Sequence, residues 1–152
     1  MTVTPNPGAL KKFRRTPWRF QQTVERGQPD GIDRLLALII QSHKDISGGT
    51  VTIDEVVFNT ERLASVCPAG TAFTHDCALT AQSPEELHAL LAAALWDGPD
   101  FICLPSPKPF VFYADHHDLI TFFANTKSHL NHVIEPLVLH GYRLVQNWER
   151  EL

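Results

Sequence analysis

The sequence is poor in the residues that mark secreted or membrane-embedded chains. Its 152 residues include three cysteines, Cys67, Cys77 and Cys103, an odd number that does not suit a disulfide framework. The first apolar run, residues 35–40, is far shorter than the ~20 residues needed to cross a bilayer. That run also lies too far from the N-terminus to belong to a signal peptide. We therefore expect a cytoplasmic chain with reduced thiols and no membrane association.

The sequence also lacks the motifs that identify most enzymes and cofactor-binding proteins. It has no glycine-rich phosphate-binding loop, and Cys67, His75 and Cys77 do not follow a known zinc-ligand spacing. No nucleophile and base stand at a recognisable spacing. The sequence therefore predicts no cofactor and favours a binding protein over an enzyme.

Charge is unevenly distributed along the chain. Residues 1–30 carry six Lys or Arg against two acids, whereas residues 31–152 carry seven against fifteen, a net charge of −8. The basic segment interleaves cations with aromatic residues, as segments that contact nucleic acid do. The alternative is that it folds back onto the acidic body of its own chain. Its candidate partner-binding residues are Lys11, Lys12, Arg14, Arg15, Trp18 and Arg19.

Prolines and apolar periodicity predict one domain behind an irregular N-terminal arm. Residues 1–29 hold four of the eleven prolines and no hydrophobic periodicity, so they predict the basic arm. Residues 30–152 predict a single α+β domain whose first part, residues 30–66, is helical. Asp30 can cap the first helix, and the Thr52–Glu55 spacing predicts a second helix from Ile53 to about Ser65. The β-branched residues there leave a strand open for its first half.

The remaining segments alternate in a recognisable order. The predicted elements are strands over 72–79, 101–104, 110–114 and 142–149, and helices from Ser83 to Gly98 and from about Asp118 to His140. This βαββαβ order over residues 72–150 predicts a ferredoxin-like sandwich, preceded by the two helices and the basic arm. One face of its sheet would be covered by the two helices, or by a second copy of the chain in a homodimer.

Two histidines bracketed by two aspartates follow the predicted strand at residues 110–114. Asp115, His116, His117 and Asp118 are the candidate catalytic residues, because carboxylates and imidazoles together can hold a metal ion or move a proton. The plainer interpretation is that the aspartates cap the next helix and the histidines are solvated. The fold order places the loop at Ser83 beside this junction.

His129 and His132 form a second candidate metal pair, in addition to His116 and His117. They lie three residues apart on the predicted long helix, close enough to share an ion. A continuous helix places His129 about 16 Å beyond Asp118, so the two pairs cannot share one coordination sphere. Only a break near Asn125 and Thr126 would bring them closer.

These features predict a small regulatory protein that acts through a protein–protein surface. An acidic body suits a basic partner, as in an inhibitor or an immunity-type protein that neutralises a toxin. A metal-assisted hydrolase using Asp115, His116, His117 and Asp118 is the first alternative. Nucleic-acid binding through the basic arm is the second.

Overall fold

Eight antiparallel strands form one continuous sheet in the computed structural model, which describes residues 1–5 and 8–152. The strands are β1 (Thr2–Pro5), β2 (Phe20–Glu25), β3 (Gly48–Glu55), β4 (Cys77–Ala81), β5 (Asp100–Ser106), β6 (Val111–Ala114), β7 (Leu119–Ala124) and β8 (Leu144–Val145). They lie side by side in the order β1-β4-β3-β5-β6-β7-β2-β8. The helices are α1 (Ala9–Arg15), α2 (Ile32–Gln41), α3 (Glu61–Val66), α4 (Pro84–Asp97) and α5 (Lys127–Leu139). None of these helices is long and apolar enough to span a membrane.

Helices cover the two faces of the sheet unequally. Side chains alternate between the faces along each strand. On one face, which we call the helix face, Phe101, Phe112 and Phe122 are fully buried in a core to which α2, α4 and α5 contribute. On the opposite face, which we call the α1 face, Phe123 packs beneath Phe13 of α1. Helix α1 is therefore part of the folded domain.

The expected ferredoxin-like sandwich is wrong, because the sheet has eight strands and draws them from both ends of the chain. Residues 119–124, expected to begin a long helix, form β7 and pair with both β6 and β2. Leu119, Phe123 and Leu130 fit a helical stripe as well as they fit a strand followed by a helix, so periodicity did not separate the two. Helix α5 begins only after Thr126, whose hydroxyl oxygen accepts the N–H of His129 at 3.1 Å.

The N-terminal part of the fold prediction is also wrong. Residues expected to form an irregular arm contribute β1, α1 and β2, and β2 lies between β7 and β8. The expected helix from Ile53 to Ser65 is the end of β3, a loop and the short α3, because the β-branched residues of β3 pair with β4 and β5. The two helices expected within residues 30–66 do not cover an open face together, because the first forms as α2 on the helix face and the second is replaced by the end of β3, a loop and α3. Helix α1, which the sequence did not predict, covers the opposite face.

Three local predictions are confirmed. The Ser83 hydroxyl oxygen accepts the N–H of Glu86 at 3.0 Å at the start of α4, and Gly98, with a φ of 76°, ends that helix. Helix α2 forms over the predicted apolar run. Strands β5 and β6 pair as the predicted hairpin. Each of these elements has its signals within a few residues of its own ends.

Candidate functional site

The Asp115–Asp118 segment is the tight turn between β6 and β7. One carboxylate oxygen of Asp115 accepts the backbone N–H groups of His117 at 2.8 Å and Leu119 at 3.1 Å. The other oxygen accepts from the Arg150 guanidinium at 2.8 Å. Asp118 has a left-handed φ of 66°, and its carboxylate lies 2.8 Å from Arg26. Both aspartates therefore hold a hairpin turn in place of the helix start that the sequence predicted.

The two histidines of this turn stand in different environments. His116 Nδ1 lies 2.9 Å from Asp100 Oδ1, and the same oxygen accepts the His116 backbone N–H at 2.8 Å. This hydrogen bond to the carboxylate raises the pKa of His116 above its ordinary value of 6.5. The exposed His117 ring lies against it, with ring centroids 4.0 Å apart. In the part of the chain that the structure describes, no three His, Cys, Asp or Glu side chains are arranged to hold a metal ion.

Replacing Asp100 by asparagine is expected to lower the pKa of His116, because it removes the negative charge that favours the imidazolium. In the native chain, the stabilising effect of this pair is complete below pH 6.5 and is lost as the pH rises through the raised pKa of the folded state. An NMR titration of the imidazole resonances measures this shift. Asp118→Asn is the control, because Asp118 pairs with Arg26 rather than His116. A His116 pKa of 6.5 in the native chain would contradict the prediction.

Exposed apolar side chains adjoin the turn, and we call this group the Phe58 surface. Phe58 is 60% exposed and Trp96 is 48% exposed. The Phe58 ring stands edge-on to His116, with centroids 6.5 Å apart, and it packs over Gly98, where a Cβ would come within 3.3 Å of the ring. The Phe58 surface consists of Val56, Val57, Phe58, Trp96, His116 and His117. The sequence prediction placed residues 56–58 on a helix and so missed this surface; three consecutive apolar residues before Asn59 and Thr60 were the available signal.

The expected neighbourhood between the Ser83 loop and the turn is wrong. Strand β4 ends at Ala81, which pairs with Gly49 at the start of β3. Asp100, which holds His116, pairs with Glu55 at the other end of β3. The two loops therefore lie at opposite ends of the sheet.

The candidate cations of the N-terminal segment belong to α1 and to the connection that follows it. Arg14 donates to Asp54 Oδ2 at 2.6 Å, and the same oxygen accepts the Tyr113 hydroxyl at 2.6 Å. The Trp18 indole N–H donates to the Phe13 carbonyl oxygen at 3.2 Å. The Arg14 contact holds α1 on the sheet of its own chain, and the Trp18 bond holds the segment after α1 against that helix. The other four candidates, Lys11, Lys12, Arg15 and Arg19, are exposed.

His129 and His132 lie at the end of β7 opposite the turn. The chain does break near Asn125 and Thr126, but the residues before the break form a strand about 17 Å long, which keeps the two histidine pairs apart. His43, which follows α2, joins them instead, with ring centroids 5.7 Å from His129 and 5.6 Å from His132. Burial and the two neighbouring imidazoles lower the pKa of His43 below 6.5. The folded state therefore disfavours protonated His43. The free energy of unfolding consequently falls as the pH drops below 6.5, where the unfolded chain takes up the proton more readily.

The chain matches no protein-family model, and no curated protein or solved structure is detectably similar to it. The protein has an antiparallel α+β fold with an exposed apolar surface at one end of the sheet. Inferences about function therefore start from the contacts and charges of this surface.

Proposed function

We propose that this protein binds a basic protein partner through the Phe58 surface and covers a site on that partner, as an inhibitor or an immunity-type protein does. The observation that carries the proposal is the 60% exposure of Phe58, whose ring stands edge-on to His116 and packs over Gly98. Trp96, two residues before Gly98, is 48% exposed. Aromatic side chains are typical anchors of protein interfaces because they bury a large area with few rotatable bonds. Such anchors fit an apolar pocket on the partner.

Acidic groups around these anchors support a partner of positive charge. Glu55 is exposed and directly precedes the apolar run, Glu61 is exposed in the first turn of α3, and the Asp118 side chain is 64% exposed. Residues 31–152 carry a net charge of −8. A pocket rimmed by Lys and Arg would complement this arrangement, and the opposite charges would speed association.

Hydrogen bonds donated to the buried Asp97 carboxylate hold the Phe58 surface in one arrangement before any partner binds. Asp97 accepts the backbone N–H groups of Arg62 at 3.3 Å and Leu63 at 2.8 Å, which joins α3 to the end of α4. The Arg62 guanidinium then lies 4.3 Å from the centre of the Trp96 ring. A pre-organised surface loses less conformational entropy on binding, so more of its contact energy appears as affinity.

Phe58→Ala is expected to weaken binding of the partner by about 30-fold, the effect of losing an anchor worth about 2 kcal/mol. The partner is first captured from extract of the source cells with the native chain, and its affinities for the native chain and the variants are then measured by calorimetry. Leu139→Ala is the matched control, because Leu139 is 82% exposed at the end of α5 and is not part of the Phe58 surface.

Three results would contradict the proposal. The first is a partner that binds Phe58→Ala as tightly as it binds the native chain. The second is an acidic partner whose binding does not respond to salt, because complementary charge requires salt-sensitive association. The third is the absence of a stoichiometric partner.

A further inference from the structure

A cavity of about 750 Å³ lies at the end of the sheet opposite the Phe58 surface. Three separate parts of the chain build it: α1 with the segment that follows it, the connection between β5 and β6, and the start of α5. Its volume falls within the ~300–1,000 Å³ range of sites for small molecules. Because its walls come from distant parts of the sequence, the cavity exists only in the folded chain.

One wall of this cavity is apolar and contains an indole ring held in place. Trp18 packs against Phe13 with ring centroids 6.1 Å apart and against Phe123 with centroids 6.0 Å apart. Its indole N–H already donates to the Phe13 carbonyl oxygen. Leu104 of β5 extends the same wall. A fixed aromatic ring beside an aliphatic side chain suits a flat apolar group.

The charged lining side chains that the structure describes are all cationic, and the remaining polar ones are Thr16, Asn125, Thr126 and His129. Lys12, Lys108 and His129 line the cavity, and the described lining residues include no carboxylate. This is unusual in a chain whose net charge is −4. Groups of one sign that face a common space are stabilised by an ion of the opposite sign.

We infer that the cavity binds a small planar ligand that carries one anionic group, a phosphate ester or a carboxylate. The planar part packs against Trp18, and the anionic group lies near Lys12, Lys108 and His129. This site lies at the far end of the sheet from the Phe58 surface, so it is a second site and does not depend on the proposed protein partner.

A pair of fluorescent dyes tests this inference directly. Anilinonaphthalene sulfonate carries an aromatic apolar body with a planar naphthalene ring and one negative charge, and N-phenyl-1-naphthylamine has the same body without the charge. We expect the sulfonate to bind the native chain with one-to-one stoichiometry and at least tenfold more tightly than the neutral dye. Lys12→Ala and Lys108→Ala should each weaken binding of the sulfonate at least fivefold and leave the neutral dye unchanged. Lys44→Ala removes an equal charge outside the lining and should change neither affinity.

Further variants and competitors separate binding in this cavity from binding elsewhere on the chain. Trp18→Leu should weaken both dyes, because both require the apolar wall, and thermal unfolding monitored by circular dichroism confirms that the variant is folded. Phe58→Ala should bind the sulfonate as the native chain does, so the two proposals can fail independently. Displacement of the sulfonate by 1-naphthyl phosphate or by 1-naphthoate shows which anionic group the site prefers.

Four results would overturn the inference. They are equal affinity for the two dyes, native affinity for the sulfonate in both lysine variants, no binding of either dye, and failure of both competitors to displace the sulfonate at millimolar concentration. The first would leave an apolar site without charge selection. The others would show that the cavity is not a site for an organic anion.

Discussion

Asp115→Ala is expected to destabilise the folded chain by about 3 kcal/mol, the lower end of the cost of removing one partner from a buried ion pair. The Asp115 and Arg150 side chains are only 10% and 13% exposed, so the guanidinium would be left without a counter-charge in a poorly solvated place. The N–H groups of His117 and Leu119 would also lose their acceptor. Urea unfolding, followed by circular dichroism, measures the change.

Asp115→Asn is the matched variant, because its amide oxygen can still accept the two N–H groups of the turn while the charge is gone. We expect its free energy of unfolding to lie between that of the native chain and that of Asp115→Ala. The difference between the two variants then separates the turn hydrogen bonds from the ion pair. A change below about 0.5 kcal/mol in Asp115→Ala would contradict the prediction, since that is the size of an ordinary surface substitution.

Phe13→Ala is expected to destabilise the chain by about 3 kcal/mol or more, the usual cost of truncating a buried phenylalanine. Phe13 is 4% exposed and meets Phe123 edge to face, with centroids 5.2 Å apart, on the α1 face. The same urea measurement applies. Arg15→Ala is the control, because Arg15 is exposed on the same helix and should alter stability by less than about 0.5 kcal/mol.

The Phe13 result decides between two views of the basic segment. If α1 is part of the fold, truncating its anchor lowers the stability of the whole sheet. If residues 1–29 are an arm that works apart from the domain, Phe13→Ala will unfold at the same urea concentration as the native chain. That second result would indicate a basic arm separate from the domain, with Lys11, Lys12, Arg15 and Arg19 as its candidate partner-binding residues.

Local sequence determined α4 and the β5–β6 hairpin. Ser83, Pro84 and Gly98 make or permit their backbone arrangements within one turn of the helix end, so their effect does not depend on distant partners. Residues 119–124 lack such signals. Their apolar pattern fits either a helix or a strand, and pairing with β6 and β2 decided the outcome.

Some features of the candidate site were also visible in the sequence, and others appeared only in the tertiary structure. The sequence alone singled out His116 and His117, because two imidazoles between two aspartates are conspicuous wherever they fall. Only the tertiary structure placed Asp100 against His116, Arg150 against Asp115 and Phe58 beside His116.

The sequence predicted some elements and missed others because the stabilising interactions differ in how far apart their partners lie along the chain. A helix cap or a turn is stabilised by hydrogen bonds between residues two to four positions apart, and the residue types that make them are visible in the sequence. A strand such as β2 gains its stability from β7 and β8, about a hundred residues further along the chain. The residues of β2 do not indicate which strands it pairs with. Tertiary packing therefore decided the sheet order, and the sheet order decided which side chains meet at each end.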